Sequence, residues 1–400
     1  MSSRADRLFN RDLVLLLAAT FGALANYALM LPVAPLWASD GGAGAGHVGT
    51  ITGAMMAATV LTQLGMGWIF RVLTLRRMVI VGSLLLGVAT PAYALSPAIA
   101  PMVGISAVRG VGFALVVVAG AALAAELAPA GRLATATGVY GVAAGLPNVV
   151  ALPAGVWLAQ TWGFVPMFLT ASALALLAVP LAAAISAART RGGVRSEGSG
   201  HLPMRTWARF LAPTAVFAAT ALALGGATTF VPLAVPDPGT ATISLFALSA
   251  LMVLGRLLAG RIGDHVAAGR LLLPAAVISA LGMGGVAVTT GSDSGVLTVM
   301  AAATFGLGFG AVQNDSLVTV MQRAGRKGLG TASTVWNIAY DGGVGVGAVL
   351  LGVVVAASNY TWGFAVLALA IVALAPVAFR LQRAAATAPG PPTGAIDSDL

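Results

Sequence analysis

Long apolar runs, each broken by only a few polar residues, follow one another along almost the whole chain. They predict twelve helical spans, at 12–37, 48–70, 77–96, 98–125, 134–159, 164–188, 209–234, 241–262, 270–290, 295–320, 329–356 and 361–381. Most hold roughly 20 to 26 residues, and at about 1.5 Å of rise per residue a helix of that length crosses the roughly 30 Å hydrocarbon layer of a bilayer. The expected fold is all-α, a membrane protein of twelve transmembrane helices. Residues 1–11 followed by an apolar run also have the outline of a cleaved signal peptide. The run from Asp12 to Trp37 is too long for a signal core, however, and its removal would spoil the even helix count, so it is kept as the first span.

The polar gaps are short except at 189–208, where Gly-Gly, Ser-Glu-Gly-Ser-Gly and four arginines, with a fifth following at Arg209, read as a solvated linker. A surface-lying amphipathic stretch around Met204 to Phe210 is a second reading of its end. The linker divides the chain into an N-terminal tail at 1–11, a six-helix bundle at 12–188, the linker itself, a second six-helix bundle at 209–383 and a tail at 384–400. That last tail is rich in Ala and Pro and is expected to be disordered.

Composition agrees with the pattern. Hydrophobic residues make up 58% of the chain and charged residues 8%, with a mean hydropathy of +0.95, which removes the two or three soluble domains that 400 residues would otherwise suggest. A net charge of +9 would point to nucleic acid in a soluble protein. Here nineteen of the 21 Lys and Arg residues fall on one side of the twelve-span arrangement, while the opposite loops carry Asp40, Asp237 and Asp293. By the positive-inside rule both termini are expected in the cytoplasm of a multi-pass plasma-membrane protein, with lipid and not nucleic acid as the partner of the basic residues. There is no cysteine, and His47, His201 and His265 all lie in predicted loops, so no metal site or haem is expected. No phosphate-loop, His-Glu-x-x-His or Gly-x-Ser-x-Gly pattern occurs, so no ATPase, other enzyme or cofactor is expected.

The two halves repeat each other. Thr161-Trp162-Gly163-Phe164 recurs two hundred residues later as Thr361-Trp362-Gly363-Phe364. At the same offset Tyr140 and Gly145 correspond to Tyr340 and Gly345. Pro35-Leu36 corresponds to Pro232-Leu233, and Gly112-Phe113 to Gly308-Phe309. Parallel six-helix halves belong to a transporter architecture that binds substrate between the halves near the bilayer midplane.

With these features the chain resembles the major facilitator superfamily, from about Arg11 to Arg383. The resemblance rests first on Gly260-Arg261-Ile262-Gly263-Asp264-His265-Val266-Ala267-Ala268-Gly269-Arg270, similar to the family's loop motif between the eighth and ninth spans. Its counterpart after the second span, Gly67 to Arg77, has Arg71 where the family has an acid. The resemblance implies a cytoplasmic gate at Gly260, Asp264, Arg270, Arg71 and Arg77, although Arg71, Arg76 and Arg77 also fit a purely topological role. Arg109-Gly110-Val111-Gly112-Phe113 looks like the family's second motif, which implies a link between Arg109 and proton coupling; a structural hydrogen bond to neighbouring carbonyls is the other reading. Gly141, Gly145 and Pro147 resemble the family's exporter motif, with Leu146 intervening. They imply close helix packing, together with Gly345, and favour export over uptake.

The few polar residues inside the spans are the candidates for chemistry, because each is costly to bury in lipid. For substrate these are Asn26, Tyr27, Gln63, Asn148, Asn314, Asn337 and Tyr340, and for proton coupling Asp341, Arg109 and Asp315. Asn337 and Asp341 are one helical turn apart and share a face. Burial disfavours a charged carboxylate and a nearby arginine favours it, so an acid exposed in turn to two sides can load and release a proton. Asp341 therefore leads as the coupling group, with Asp315 second; a protonated Asp341 that binds helices together beside Gly342 and Gly343 is the alternative. The expected function is proton-coupled efflux of a small organic molecule by a monomeric secondary transporter. An importer is the nearest alternative, and a receptor or an intramembrane enzyme a remote one.

Overall fold

The computed structural model describes residues 10–129, 132–186, 204–290 and 294–386. The expectations for the N-terminal tail before Asn10, for most of the 189–208 linker, for Asp293 and for the tail after Ala386 fall outside the described residues.

The helices are α1 (Arg11–Asp40), α2 (Ala45–Leu64), α3 (Met66–Val72), α4 (Leu75–Ala89), which continues as a 3-10 turn over Thr90–Leu95, α5 (Ile99–Glu126), α6 (Leu133–Trp162) and α7 (Phe164–Ala183). After the linker come α8 (Met204–Ala234), α9 (Pro238–Gly263), α10 (Leu272–Thr289), α11 (Gly295–Ala357), α12 (Tyr360–Ala373) and α13 (Ala375–Ala386). Among the described residues, eleven helices are long and apolar enough to cross a membrane, and the bent pair α2 and α3 makes a twelfth span. The all-α architecture expected from the apolar runs is the one found.

Four spans differ from the sequence expectation in their continuity. The span expected at 48–70 breaks after Leu64, where the axis turns by 65°. Gly65 and Gly67 flank the break, and two glycines within three residues weaken a helix at that point. The last span is interrupted at Leu374, just before Pro376, which cannot donate a backbone hydrogen bond. Conversely, the tenth and eleventh spans are joined without a helical gap in α11. The two parts of α11, Gly295–Ala324 and Thr331–Ala357, lie side by side: Trp336 Nε1 donates to Ser316 Oγ at 3.1 Å, and the Phe309 and Tyr340 rings are 6.3 Å apart. The chain therefore reverses direction between them.

Two helix bundles result. In the first, α1 packs on α6 and α7, α2 on α5, and α4 on α5 and α7; in the second, α11 packs on α8, α9 and α10, and α10 on α12. The internal repeat is visible in the packing. A Cβ added at Gly112 of α5 would sit 2.7 Å from the Gly82 carbonyl oxygen of α4, and one at Gly308, its repeat partner in α11, would collide with the Ser279 backbone of α10. In both halves the absent side chain lets two backbones touch. The Thr-Trp-Gly-Phe repeat, by contrast, is used in two ways. Gly163 has φ 91° and turns the chain between α6 and α7, a conformation that favours glycine. Gly363 lies inside α12, because Asn359 caps that helix early by accepting from Trp362 N at 3.1 Å.

The halves meet mainly where α2 runs antiparallel to the second part of α11. Added side chains at Gly49, Gly345 and Gly352 would strike Ala348, Met56 and Ala45 respectively, each across the boundary between the bundles. Thr52 and Thr229 also meet across it, with their hydroxyl oxygens 3.2 Å apart.

Candidate functional site

Two polar clusters lie inside the bundle. The first is built on Arg109, placed in the interior of α5 (Ile99–Glu126) and only 1% exposed. Its guanidinium donates to Asn26 Oδ1 at 3.1 Å and to the Tyr93 hydroxyl at 3.4 Å. The ring of Tyr93 also lies beneath the cation, 5.6 Å from its centroid. Asn26 is held by its own amide, which donates to Thr90 Oγ1 at 3.0 Å and to the Ala171 carbonyl at 2.8 Å. The Tyr93 hydroxyl is 2.6 Å from Ser106 Oγ. All these partners are neutral and all come from the first half, and the Nε of Arg109 has no partner. Electrostatically the arginine is an uncompensated positive charge in an apolar bundle, an arrangement that attracts negative charge.

The second cluster straddles the two halves. Asp341 is 4% exposed, and its carboxylate accepts a single hydrogen bond, 2.7 Å from Nε2 of Gln63 on α2. Gln63 is the next-to-last residue of α2, so this bond lies just before the bend at Gly65. The amide's other atom, Oε1, is buried without a partner. Beside Asp341 an aromatic wall is formed by Phe217, Trp336 and Tyr340, with Phe217 stacked 4.5 Å from Trp336 and 5.8 Å from Tyr340. Tyr27, stacked 4.1 Å from Phe113, links the clusters, because it lies within electrostatic reach of Tyr340, Asp341 and Arg109.

The structure thus groups Asn26, Tyr27, Gln63, Arg109, Tyr340 and Asp341, and sets other candidates apart. Asn337 shares the face of Asp341, but its amide is turned back to the Ser333 carbonyl at 2.9 Å. Asn148 and Asn314 are partly buried, on α6 and on the first part of α11. Asp315 holds a loop: its two carboxylate oxygens accept from Gly269 N and Leu271 N, each at 3.0 Å, between α9 and α10. Gly269 has φ 89°, so the loop motif noted in the sequence owes its shape to a glycine and to an acid 46 residues away. Asp264, Arg270, Arg71 and Arg77 are exposed at the arginine-rich end, whereas Arg76 reaches the Ala183 carbonyl at the end of α7.

One packing expectation is corrected. Gly345 does pack closely, against Met56, and Pro147 is buried. Gly141 and Gly145 do not pack, since an added Cβ at either would have no neighbour within 4 Å. They face open space because α6 makes its close approach further along, where Gly155 lies against the Leu29 backbone of α1. Tyr93, Thr90 and Ser106, which hold Arg109 and Asn26, were missed from the sequence. Hydroxyl residues are common in spans, and only the fold brings these three to the arginine.

A bundle of about twelve membrane helices in two similar halves, with an acid and an arginine buried near its middle, defines the class of multi-pass transporters of small molecules. The chain belongs to the Major Facilitator Superfamily, whose family model matches residues 16–348. Solved structures share the fold at low sequence identity. A bacterial homolog of the human lysosomal transporter Spinster, inward-facing and unoccupied, is 13% identical, with a TM-score of 0.75 over 94% of this chain and 97% of that one. A POT family transporter in complex with 5-aminolevulinic acid is 10% identical, with a TM-score of 0.75 over 95% of this chain and 98% of that one. The nucleoside transporter NupG is 13% identical, with a TM-score of 0.72 over 92% and 98%. Among curated protein sequences none matches.

Proposed function

We propose that the chain is a proton-coupled exporter of a small organic molecule, a monomer in the plasma membrane with both termini in the cytoplasm, working by alternating access. The observation that carries this reading is the position of Asp341, a carboxylate buried at the boundary of the two halves and bonded across it to Gln63. A proton taken up or released there acts directly on the contact that alternates. Arg109, fixed by neutral partners and linked to Asp341 through Tyr27, tunes the charge balance of the same site. Asp315 has its carboxylate engaged by the α9–α10 loop and is left out of the coupling step.

The substrate cavity in this reading lies between the halves, beside Tyr27, Tyr340 and the Trp336 and Phe217 rings. One midplane arginine suits a neutral, cationic or singly charged anionic compound better than a nucleotide. The close contact of α2 with the second part of α11, against the open glycines of α6, supports a conformation closed at the acidic end and open at the arginine-rich end. Export is favoured by the likeness of the Gly141 to Pro147 stretch to the family's exporter motif.

The test is proton-driven flux in membrane vesicles with wild-type protein and Asp341→Asn. Tolerance of toxic compounds, compared with and without the protein, identifies a substrate to follow. Loss of proton-driven flux in the variant, with substrate binding retained, is the expected result. Undiminished proton-driven transport would overturn the assignment, and flux in the opposite sense would make the protein an importer.

A further inference from the structure

Gln63 is polar, buried and incompletely bonded where it meets a titratable group of the opposite half. Its Nε2 donates to Asp341 Oδ2 at 2.7 Å, while its Oε1, with no access to solvent, has no donor. A buried carbonyl oxygen without a donor carries a desolvation cost of about 1–3 kcal/mol, and native interiors rarely leave one so. An ionised Asp341 cannot remove that cost, because a carboxylate only accepts. A protonated Asp341 can: its O–H donates to Oε1 while its other oxygen accepts from Nε2, closing a two-bond ring between acid and amide.

Among the described residues no other side chain bonds Asp341 or the Gln63 Oε1. Tyr27 on α1 and Tyr340 on its own helix lie within electrostatic reach of Asp341, as Arg109 of α5 does of Tyr27 and Arg256 of α9 does of Tyr340. From α2 the facing group is the Gln63 amide itself. The position in the fold gives the ring its leverage. Gln63 bonds across the α2–α11 seam two residues before Gly65, where the chain turns by 65°, and that seam includes the tight glycine contacts at Gly49, Gly345 and Gly352.

We propose that Gln63 is the positioning residue of proton coupling: it makes two hydrogen bonds to protonated Asp341 and one to the carboxylate, so that protonation holds the α2–α11 seam closed and deprotonation loosens it. The step moves one proton, from water to an Asp341 oxygen, and forms one additional O–H···O bond; no other bond is made or broken. This rests on the reading of Asp341 as the coupling group, and it adds a partner and a direction to it.

The absence of native cysteine allows a clean distance measurement. Spin labels at Asp40→Cys and Ala357→Cys, both exposed at the acidic end and on opposite halves, report whether the seam is closed. In the parent protein the short-distance population should fall at least tenfold relative to the long one as the pH rises through the titration of Asp341. Asp341→Asn, a permanent amide donor, should keep the short distance at every pH. Gln63→Leu should flatten the pH response. The exchanged pair Gln63→Glu with Asp341→Asn should restore it, because acid and amide have only traded sides. A Gln63→Leu protein with the parent's pH response, or an exchanged pair that stays insensitive to pH, overturns the proposal. A thermal melt of each variant, with an unchanged midpoint expected for the exchanged pair, separates loss of folding from loss of the switch. If Asp341→Asn retains proton-driven flux, the coupling assignment itself fails; if that flux is lost while Gln63→Leu titrates like the parent, only the role of Gln63 fails.

Discussion

Gly352→Ala and Gly112→Ala add the same methyl group against the same kind of obstacle, and the structure predicts different consequences. At Gly352 the new Cβ would sit 2.7 Å from the Ala45 carbonyl oxygen, across the boundary between the halves; at Gly112 it would sit 2.7 Å from the Gly82 carbonyl oxygen, within the first half. Ordinary contact requires about 0.7 Å more in either case, and in a close-packed interior that displacement is shared by whole helices. Overpacking of this size costs about 1–3 kcal/mol. For Gly112→Ala the cost falls on every folded conformation, because α4 and α5 stay together as the halves rock. It should appear as about 1–3 kcal/mol of lost stability in a thermal or denaturant melt, with no change in the distance between labels at Asp40→Cys and Ala357→Cys. For Gly352→Ala the clash with Ala45 burdens only the conformation with the seam closed, while the 3.2 Å approach to the Phe230 ring, within the second half, is common to both. The closed-to-open ratio should therefore drop by about 5- to 150-fold, read as growth of the long-distance population. An unchanged distance distribution in Gly352→Ala, accompanied by a lower melting point, would show that the α2–α11 contact is permanent core packing and would refute the argument. A shift of the distances in Gly112→Ala would refute it equally.

Asn10→Ala removes the cap that accepts from Leu13 N at 2.9 Å and the amide that donates to the Leu127 carbonyl at 3.1 Å; a loss of about 1 kcal/mol is expected from the cap, measurable by melting. Asp315→Ala leaves the buried Gly269 N–H without its acceptor and frees that of Leu271, at about 1–3 kcal/mol for a buried group. Limited proteolysis should then cut between Val266 and Leu271 while the remaining folded protein keeps proton-driven flux. A loss of coupling with an uncut loop would return Asp315 to the proton path. At the start of α9, the Thr240 hydroxyl and N–H bond the Asp237 carboxylate at 2.6 and 2.7 Å and hold its pKa below the ordinary aspartate value. A depressed pKa in the folded state means that the contribution is complete above the unfolded value of about 3.9 and is lost as the pH falls through the folded one. Amide exchange at Thr240 should accelerate only in that acid range, and Asp237→Asn should lose this pH dependence.

The membrane class, the approximate span limits and the inequality of the two halves were legible from the chain itself. Burial of a polar backbone and of charges in hydrocarbon is so costly that a long apolar run reports its environment locally, with no knowledge of its neighbours. Arg109 and Asp341 stood out for the same reason, as isolated charges in such runs, and the fold did bury both. The breaks at Gly65 and Leu374 were invisible to hydropathy, since an apolar kinked helix and an apolar straight one have the same composition. Gly141 and Gly145 carried the spacing of packing glycines, yet spacing identifies a face and not what stands opposite.

Partners decided everything else. Gln63 and Asp341 are 278 residues apart, and helical periodicity places each on a face of its own helix without relating the two. Asp315, flanked by Asn314 and Ser316, was indistinguishable from a cavity acid until the fold set it under the Gly269 turn. The sequence by itself determined that the chain forms some twelve membrane helices in two unequal copies, because those properties follow from local transfer free energies and from repeated residues. Only the tertiary structure decided that Asp341 meets an amide from the opposite half, because that contact depends on how two separately folded bundles are docked, which no local pattern encodes.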